Sequence, residues 1–265
     1  AIFESTSGWT TTGATVISNI SDLNKPLLLY RQLLQWLGGI GIVVLVLAIL
    51  PILGVGGMYL YKAETSSPVK DNKLSPRITE TAKSLWGVYI VLTIACAVLY
   101  KIAGMSYFDA IGHSFSTVSI GGFSTHDASI GFYSSDLIKI ICMVFMFLSA
   151  LNFVLHFLFY KNKSLTVYTS NSEMKSFLLI IIILLLLVAI FSTGGRIQSI
   201  ENIDIMFHIL SFATTSGFTV SNYSNWPTFI ITIVFLSSFI GACAGSAGGG
   251  MKVIRLTIAL KSIKK

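Results

Sequence analysis

Five long apolar runs set what this chain can become: Ile40 to Leu53, Leu85 to Leu99, Ile138 to Phe159, Phe177 to Phe191 and Phe229 to Ile240. With their flanks, most reach the roughly 20 residues that a helix needs to cross about 30 Å of hydrocarbon. They predict five membrane-crossing helices. Hydrophobic residues make up 54% of the chain and charged residues 11%, whereas soluble domains are about one quarter charged. Too little polar surface is left to cover a water-soluble globule.

A net charge of +7 could suggest nucleic acid, but the charges sort by loop rather than by face. Segments 62–83, 161–175 and 252–265 hold 13 of the 18 Lys and Arg, while seven of the 11 acids, Glu4, Asp22, Asp109, Asp127, Asp136, Glu201 and Asp204, lie in the connections between them. Basic residues accumulate on the cytoplasmic side of membrane proteins, so the three basic segments are assigned inside and the acidic ones outside. The excess charge reads as topology, with no nucleic-acid partner. Cys96, Cys142 and Cys243 fall in apolar runs without metal-ligand spacing and read as packing residues. The opening residues carry neither a basic stretch nor an apolar core, so they are no signal peptide. The expectation is a segment of a longer chain.

A weak repeat recurs about every hundred residues. Asp109-Ala-Ile-Gly-His113-Ser-Phe-Ser116-Thr-Val-Ser-Ile-Gly121-Gly122-Phe123-Ser124 aligns without a gap on Asp204-Ile-Met-Phe-His208-Ile-Leu-Ser211-Phe-Ala-Thr-Thr-Ser216-Gly217-Phe218-Thr219. The amino terminus fits the same frame, with Ser7 opposite Ser116, Gly13 opposite Gly122 and Thr15 opposite Ser124. Each copy holds a short amphipathic stretch, then a Thr/Ser/Gly run, then a loop into a long apolar helix. Ten residues of helix span about 15 Å, enough to enter a bilayer halfway. The unit is therefore helix, re-entrant half-helix, extended loop, helix, and the fold class is all-α and membrane-spanning.

Unpaired amides are costly in hydrocarbon, and a ring of backbone carbonyls around an ion gives such a run a use. Such a filter needs several extended strands and residues with little bulk, which Gly13, Gly121, Gly122, Gly217 and their hydroxyl neighbours supply. Small residues also let membrane helices pack closely, so packing is the alternative reading. The last apolar run meets Gly241-Ala-Cys-Ala-Gly-Ser-Ala-Gly-Gly-Gly250 before a helical pattern resumes. Glycines at this density break a helix, and irregular backbone at membrane depth is tolerated where protein buries it or it lines a water-filled cavity. The loop is expected to face a pore; a kink in a packed helix is the alternative.

His113 and His208 occupy equivalent positions and read as hydrogen-bonding braces of the half-helices, His126 as solvated surface, and His156 as bonded to a neighbour. Glu4, Asp109 and Asp204 lie where negative charge would gather cations, although Asp109 and Asp204 read chiefly as helix caps. Glu4 falls opposite a histidine. No nucleotide or hydrolase motif is complete, so neither an enzyme activity nor a cofactor is expected.

The strings TTTGATV, RQLLQWLGGIGIVVL, ILGVGGMYLYKAETSSPVKD, RITETAKSLW, HSFSTVSIGGFSTHDASIGF, LNFVLHF and CAGSAGGGMKVIR together resemble the TrkH-type potassium-translocating subunits of the Trk/Ktr/HKT superfamily, over essentially the whole chain. The resemblance implies four repeats around one pseudo-fourfold pore. Residues 1–60 would be the end of the first, 61–78 a cytoplasmic linker, 79–160 the second repeat, 161–173 a second linker, and 174–265 the third, with the fourth absent. It implies a potassium filter lined by backbone oxygens of Thr11 and Thr12 with Gly13, of Ile120 and Gly121 with Gly122, and of Thr215 and Ser216 with Gly217. The glycines resemble those of potassium-preferring members, whereas plant sodium-permeable relatives carry a serine in the first repeat. An intramembrane gate is implied at 241–250, through Gly245, Ser246, Gly248, Gly249 and Gly250 with Lys252. Also implied are a bacterial inner-membrane location, contact with lipid, a homodimer, and a cytosolic nucleotide-binding regulatory subunit of the TrkA type docked on the basic inner loops. Two other classes stay open: a sodium- or proton-coupled carrier, which needs an intramembrane carboxylate that none of the five runs contains, and a non-transporting membrane scaffold.

Overall fold

The computed structural model describes residues 1–49, 78–192 and 202–263, and every regular element among them is helical. The linker expected at 61–78 therefore lies almost wholly outside the described residues, as do Glu201 and the end of the first apolar run.

Three short helices match the expected half-helices. They are α1 (Ile2–Trp9), α4 (Tyr107–Val118) and α9 (Asn202–Ala213), of 8, 12 and 12 residues, which is about 12 to 18 Å of helix. Long apolar helices surround them: α2 (Lys25–Ile49), α3 (Ile78–Ile102) and α8 (Ser172–Ser192). On α3 the apolar side chains Val91, Ile94, Val98 and Ile102 are exposed at helical spacing, and Leu179, Ile183, Leu186 and Ile190 repeat the pattern on α8. An exposed apolar stripe along a helix of this length suits hydrocarbon as its solvent.

Two expected spans depart from a straight helix. The run from Ile138 to Phe159 is split into α5 (Asp136–Ala150) and α6 (Phe153–Asn162), which meet at 92°. The Ser149 and Ala150 carbonyls accept from Ala247 and Cys243 N–H, and Phe153 N–H donates to the Gly245 carbonyl. Asn152 caps the new helix by accepting from Val154 N–H at 2.9 Å. The glycine loop has thus taken the hydrogen bonds that would have continued the helix. The fifth run forms only α10 (Thr228–Ser237) before the chain turns irregular, and α11 (Val253–Ile263) follows the loop. Between α6 and α8 the second expected linker holds a single short helix, α7 (Thr166–Ser170).

The core gathers where α2, α3 and α4 cross. Trp36 lies 5.6 Å from Tyr89, 5.7 Å from Trp86 and 5.2 Å from Phe115, ring centre to ring centre. Its indole N–H donates to Thr93 at 3.0 Å, and the Tyr89 hydroxyl donates to the Trp36 carbonyl at 2.9 Å. Apolar area and satisfied polar tips together hold α2 at one height against α4. Cys96 and Cys142 belong to the same core, and all three cysteines are buried and unbridged.

Candidate functional site

Each half-helix ends in the same way. The amide of Thr12 bonds the carbonyl of Ser7 and that of Thr11 bonds Gly8; Gly121 and Ile120 do the same with Ser116 and Thr117, and Ser216 and Thr215 with Ser211 and Phe212. This is a Schellman turn, which places one residue in the left-handed region, usually glycine. Here that residue is Thr11 at φ 54°, Ile120 at φ 56° and Thr215 at φ 67°. A β-branched residue there is strained by roughly 1 to 3 kcal/mol, a cost that persists where the surroundings impose it and that clusters at functional sites. Two residues on, Gly13, Gly122 and Gly217 are left-handed again, at φ 73°, 78° and 80°. The Thr/Ser/Gly runs are thus three copies of one backbone conformation.

The three copies stand beside one another in a constant step. A side chain on Gly13 would collide with the Gly121 carbonyl oxygen, and one on Gly122 with that of Ser216. Among the described residues, Gly217 faces nothing. Several carbonyls are already committed: the Ser7 hydroxyl donates to the Ala14 oxygen at 2.6 Å, and that of Ser211 to the Phe218 oxygen at 2.7 Å. Gly121 oxygen accepts from Gln35 Nε2 at 2.6 Å, and Gln35 Oε1 accepts from Phe123 N–H at 3.0 Å. Among the described residues no hydrogen bond engages the oxygens of Thr11, Gly13, Ile120, Gly122, Thr215 or Gly217. Of the oxygens expected to line a filter, that of Gly121 is turned toward α2.

The glycine loop lies against the start of the third strand. Gly249 N–H donates to the Thr215 hydroxyl at 2.8 Å, and side chains on Gly248 and Gly250 would crowd the Thr214 carbonyl and the Thr215 methyl. Gly241, Gly245 and Gly250 have positive φ. Ser246 and Lys252 side chains bond back to the Cys243 and Gly248 carbonyls. The Glu173 carboxylate at the start of α8 accepts from Ala244 N–H at 2.8 Å, within the loop, and from Ile254 N–H at 3.2 Å, beyond it.

The model of the TrkH family, described as a cation transport protein, matches residues 1–265. This chain belongs to the TrkH family. The potassium uptake protein TrkH of Halomonas elongata is 52% identical across 98% of this chain, and that of Escherichia coli K12 is 49% identical. A crystal structure of the potassium transporter TrkH from Vibrio parahaemolyticus superposes with a TM-score of 0.83 at 45% identity over 99% of this chain. The chain spans about half, 55%, of the length of each of these proteins. As a TrkH-family member it is an all-helical, multi-pass membrane protein, and its named relatives are transporters.

Within this TrkH-family frame, the equivalent positions Glu4 and His113 have a shared task. His113 bonds the Asp109 carbonyl and the Ser124 hydroxyl, each at 2.9 Å, which ties the half-helix to the strand beyond Gly122. Glu4 reaches the equivalent Thr15 hydroxyl at 2.7 Å and Val16 N–H at 2.8 Å. Its charge is met by Arg31 Nε at 3.0 Å. His208 bonds the Asp204 carbonyl at 2.8 Å, and His156 bonds Tyr168 and the Leu148 carbonyl as expected. The acids are not free charges at a mouth: Asp204 is buried against Lys139 at 2.9 Å, and Asp109 accepts from Ser106 and Thr125. Nor does Asp109 cap its helix, because the Ser106 hydroxyl does, accepting from Asp109 N–H and donating to the Asp109 carboxylate. His126 is partly buried and stacks on Phe132 at 3.7 Å rather than standing in solvent. The contacts that sequence reasoning missed lie on α2. Arg31, Gln32, Gln35, Gly38 and Gly39 face Glu4, Gly112, Gly121, Trp9 and Ser119 in turn, and the polar and glycine positions within an otherwise apolar helix were the signal.

Proposed function

We propose that the parent protein takes up potassium across the bacterial inner membrane, through a filter whose oxygens come from the backbone of Thr11, Thr12 and Gly13, of Ile120 and Gly122, and of Thr215, Ser216 and Gly217, the Gly121 oxygen being held by Gln35 instead. The observation that carries this reading is the threefold repetition of a strained left-handed pair behind a half-helix. Packing alone gives no reason to hold Ile120 and two threonines at positive φ. A ring of carbonyls that replaces an ion's hydration shell does. The relatives' names point to potassium as the cargo. The Gly122 to Ser216 step suggests the rule of assembly, with a fourth strand beside Gly217 completing the ring.

The loop 241–250, with Gly245, Ser246, Gly248, Gly249, Gly250 and Lys252, serves in this reading as the gate beneath the filter, because its amide at Gly249 reaches the third strand while its other end rests on the α5–α6 break. An element held by a few hydrogen bonds on each side is suited to two positions. The assembly is a homodimer on a cytosolic, nucleotide-binding regulatory subunit, which the name of the Trk system supports by implying further components. The chain itself performs no covalent chemistry and needs no cofactor.

The test is uptake by the full-length parent in cells lacking their own potassium transporters, wild type against Gly122→Ser. A side chain there meets the Ser216 carbonyl and strains φ 78°. The expected result is loss of potassium preference with protein still in the membrane. Unchanged uptake and selectivity would return the Thr/Gly runs to a packing role.

A further inference from the structure

We infer that Gln35, which lies outside the filter strands, is a specificity-determining positioning residue: it grips the second strand on both sides of Gly122 and fixes which oxygen of that strand faces the ion. The inference rests on the filter reading above. Gln35 is wholly buried on α2, and both ends of its amide are used, the nitrogen on the Gly121 oxygen at 2.6 Å and the oxygen on Phe123 N–H at 3.0 Å. Only this orientation of the amide satisfies both partners.

Peptide planarity carries the argument further. In a trans peptide the N–H and C=O point in opposite directions, and the described residues contain no cis bond. Phe123 N–H shares its peptide plane with the Gly122 carbonyl, so drawing that N–H toward α2 drives the Gly122 oxygen away from α2. The neighbouring plane is set the other way, with the Gly121 oxygen toward α2. One side chain thus locks two successive carbonyls into alternation.

The other strands are held differently. Ser7 and Ser211 pin the Ala14 and Phe218 carbonyls from within their own repeats, whereas the equivalent Ser116 hydroxyl makes no hydrogen bond among the described residues. Among the described residues, no side chain bonds both sides of Gly13 or Gly217. The second strand therefore depends on a helix of the first repeat. The approach is built for contact, since a side chain on Gly121 would overlap the Gln35 amide carbon. The helix bearing Gln35 cannot slide, because Gly38 lies against the Trp9 carbonyl and Gly39 against Ser119 and the Tyr89 hydroxyl. Selection between ions depends on the position and number of carbonyl dipoles, which is what this clamp sets.

The experiment uses the full-length parent in proteoliposomes and measures rubidium uptake against sodium competition for wild type, Gln35→Glu and Gln35→Met. Glutamate keeps the acceptor for Phe123 N–H but sets a carboxylate oxygen against the Gly121 oxygen; methionine keeps the volume and removes both bonds. The expected result is a fall of about tenfold in rubidium preference in both variants, equivalent to roughly 1.4 kcal/mol, with transport retained. An unchanged preference in either variant would overturn the inference, as would a loss of transport equal for all ions, which a packing residue would produce. If wild type itself shows no preference, the filter reading fails instead.

Discussion

At the residue scale, Glu4 shows how far sequence reasoning reached and where it stopped. The alignment set it opposite His113, and that register is correct, but its partner Arg31 lies 27 positions away on another helix. No periodicity links the two. A buried pair that loses one member leaves a charge uncompensated. Arg31→Ala is therefore expected to destabilise the full-length protein by about 3 to 5 kcal/mol, and the double substitution Glu4→Gln with Arg31→Met by less. Thermal unfolding in detergent would show this order. In the loop after the second strand, Asp127 accepts from Ile20 N–H at 2.6 Å and from Ser21. These donors hold its carboxyl below the ordinary value of 3.8. A carboxylate lowered in the folded state stabilises it above the unfolded value, and the contribution is lost as pH falls through the folded one. Wild type should lose this clasp only below about pH 3.8, and the acid arm of unfolding should flatten there in Asp127→Asn.

At the element scale, the short helices α1, α4 and α9 were legible because three copies in one frame reinforce a weak pattern. The break between α5 and α6 was not. Ser149-Ala-Leu-Asn152 contains neither glycine nor proline, and the cause sits some ninety residues downstream, where Cys243 and Ala247 take the carbonyls of Ala150 and Ser149. The loop in turn hangs from Glu173, which holds the amides of Ala244 and Ile254. Glu173→Ala should free both amides and raise the basal leak of the full-length protein several-fold, whereas Glu173→Gln, which retains an acceptor oxygen, should leak less. Ion flux through the purified full-length protein in liposomes would separate the two. Equal, low leak in both would show that the loop does not depend on this carboxylate.

At the scale of the whole molecule, α2 is the organising piece, since its face from Arg31 to Gly39 touches both the first and the second half-helix turns. Sequence reasoning identified this stretch by family likeness alone, because polar and glycine positions in a buried helix disclose that something is contacted but not what. The loops beyond the strands continue the same interlocking: Asp127 binds residues 20 and 21, and Gly131 N–H donates to the Thr219 carbonyl at 3.1 Å. The step from Gly13 to Gly121 and from Gly122 to Ser216 has a consequence for Gly217. If a fourth strand stands beside it in the parent, Gly217→Ala should impair selective uptake as severely as Gly122→Ala; if none does, only the cost of positive φ remains and the effect should be much the milder. The most direct measurement is the location of rubidium by anomalous scattering in crystals of the full-length protein. An ion coordinated by backbone oxygens of the three strands, those of Gly13, Gly122 and Gly217 among them, is the predicted result, and an ion path that avoids these oxygens would contradict it.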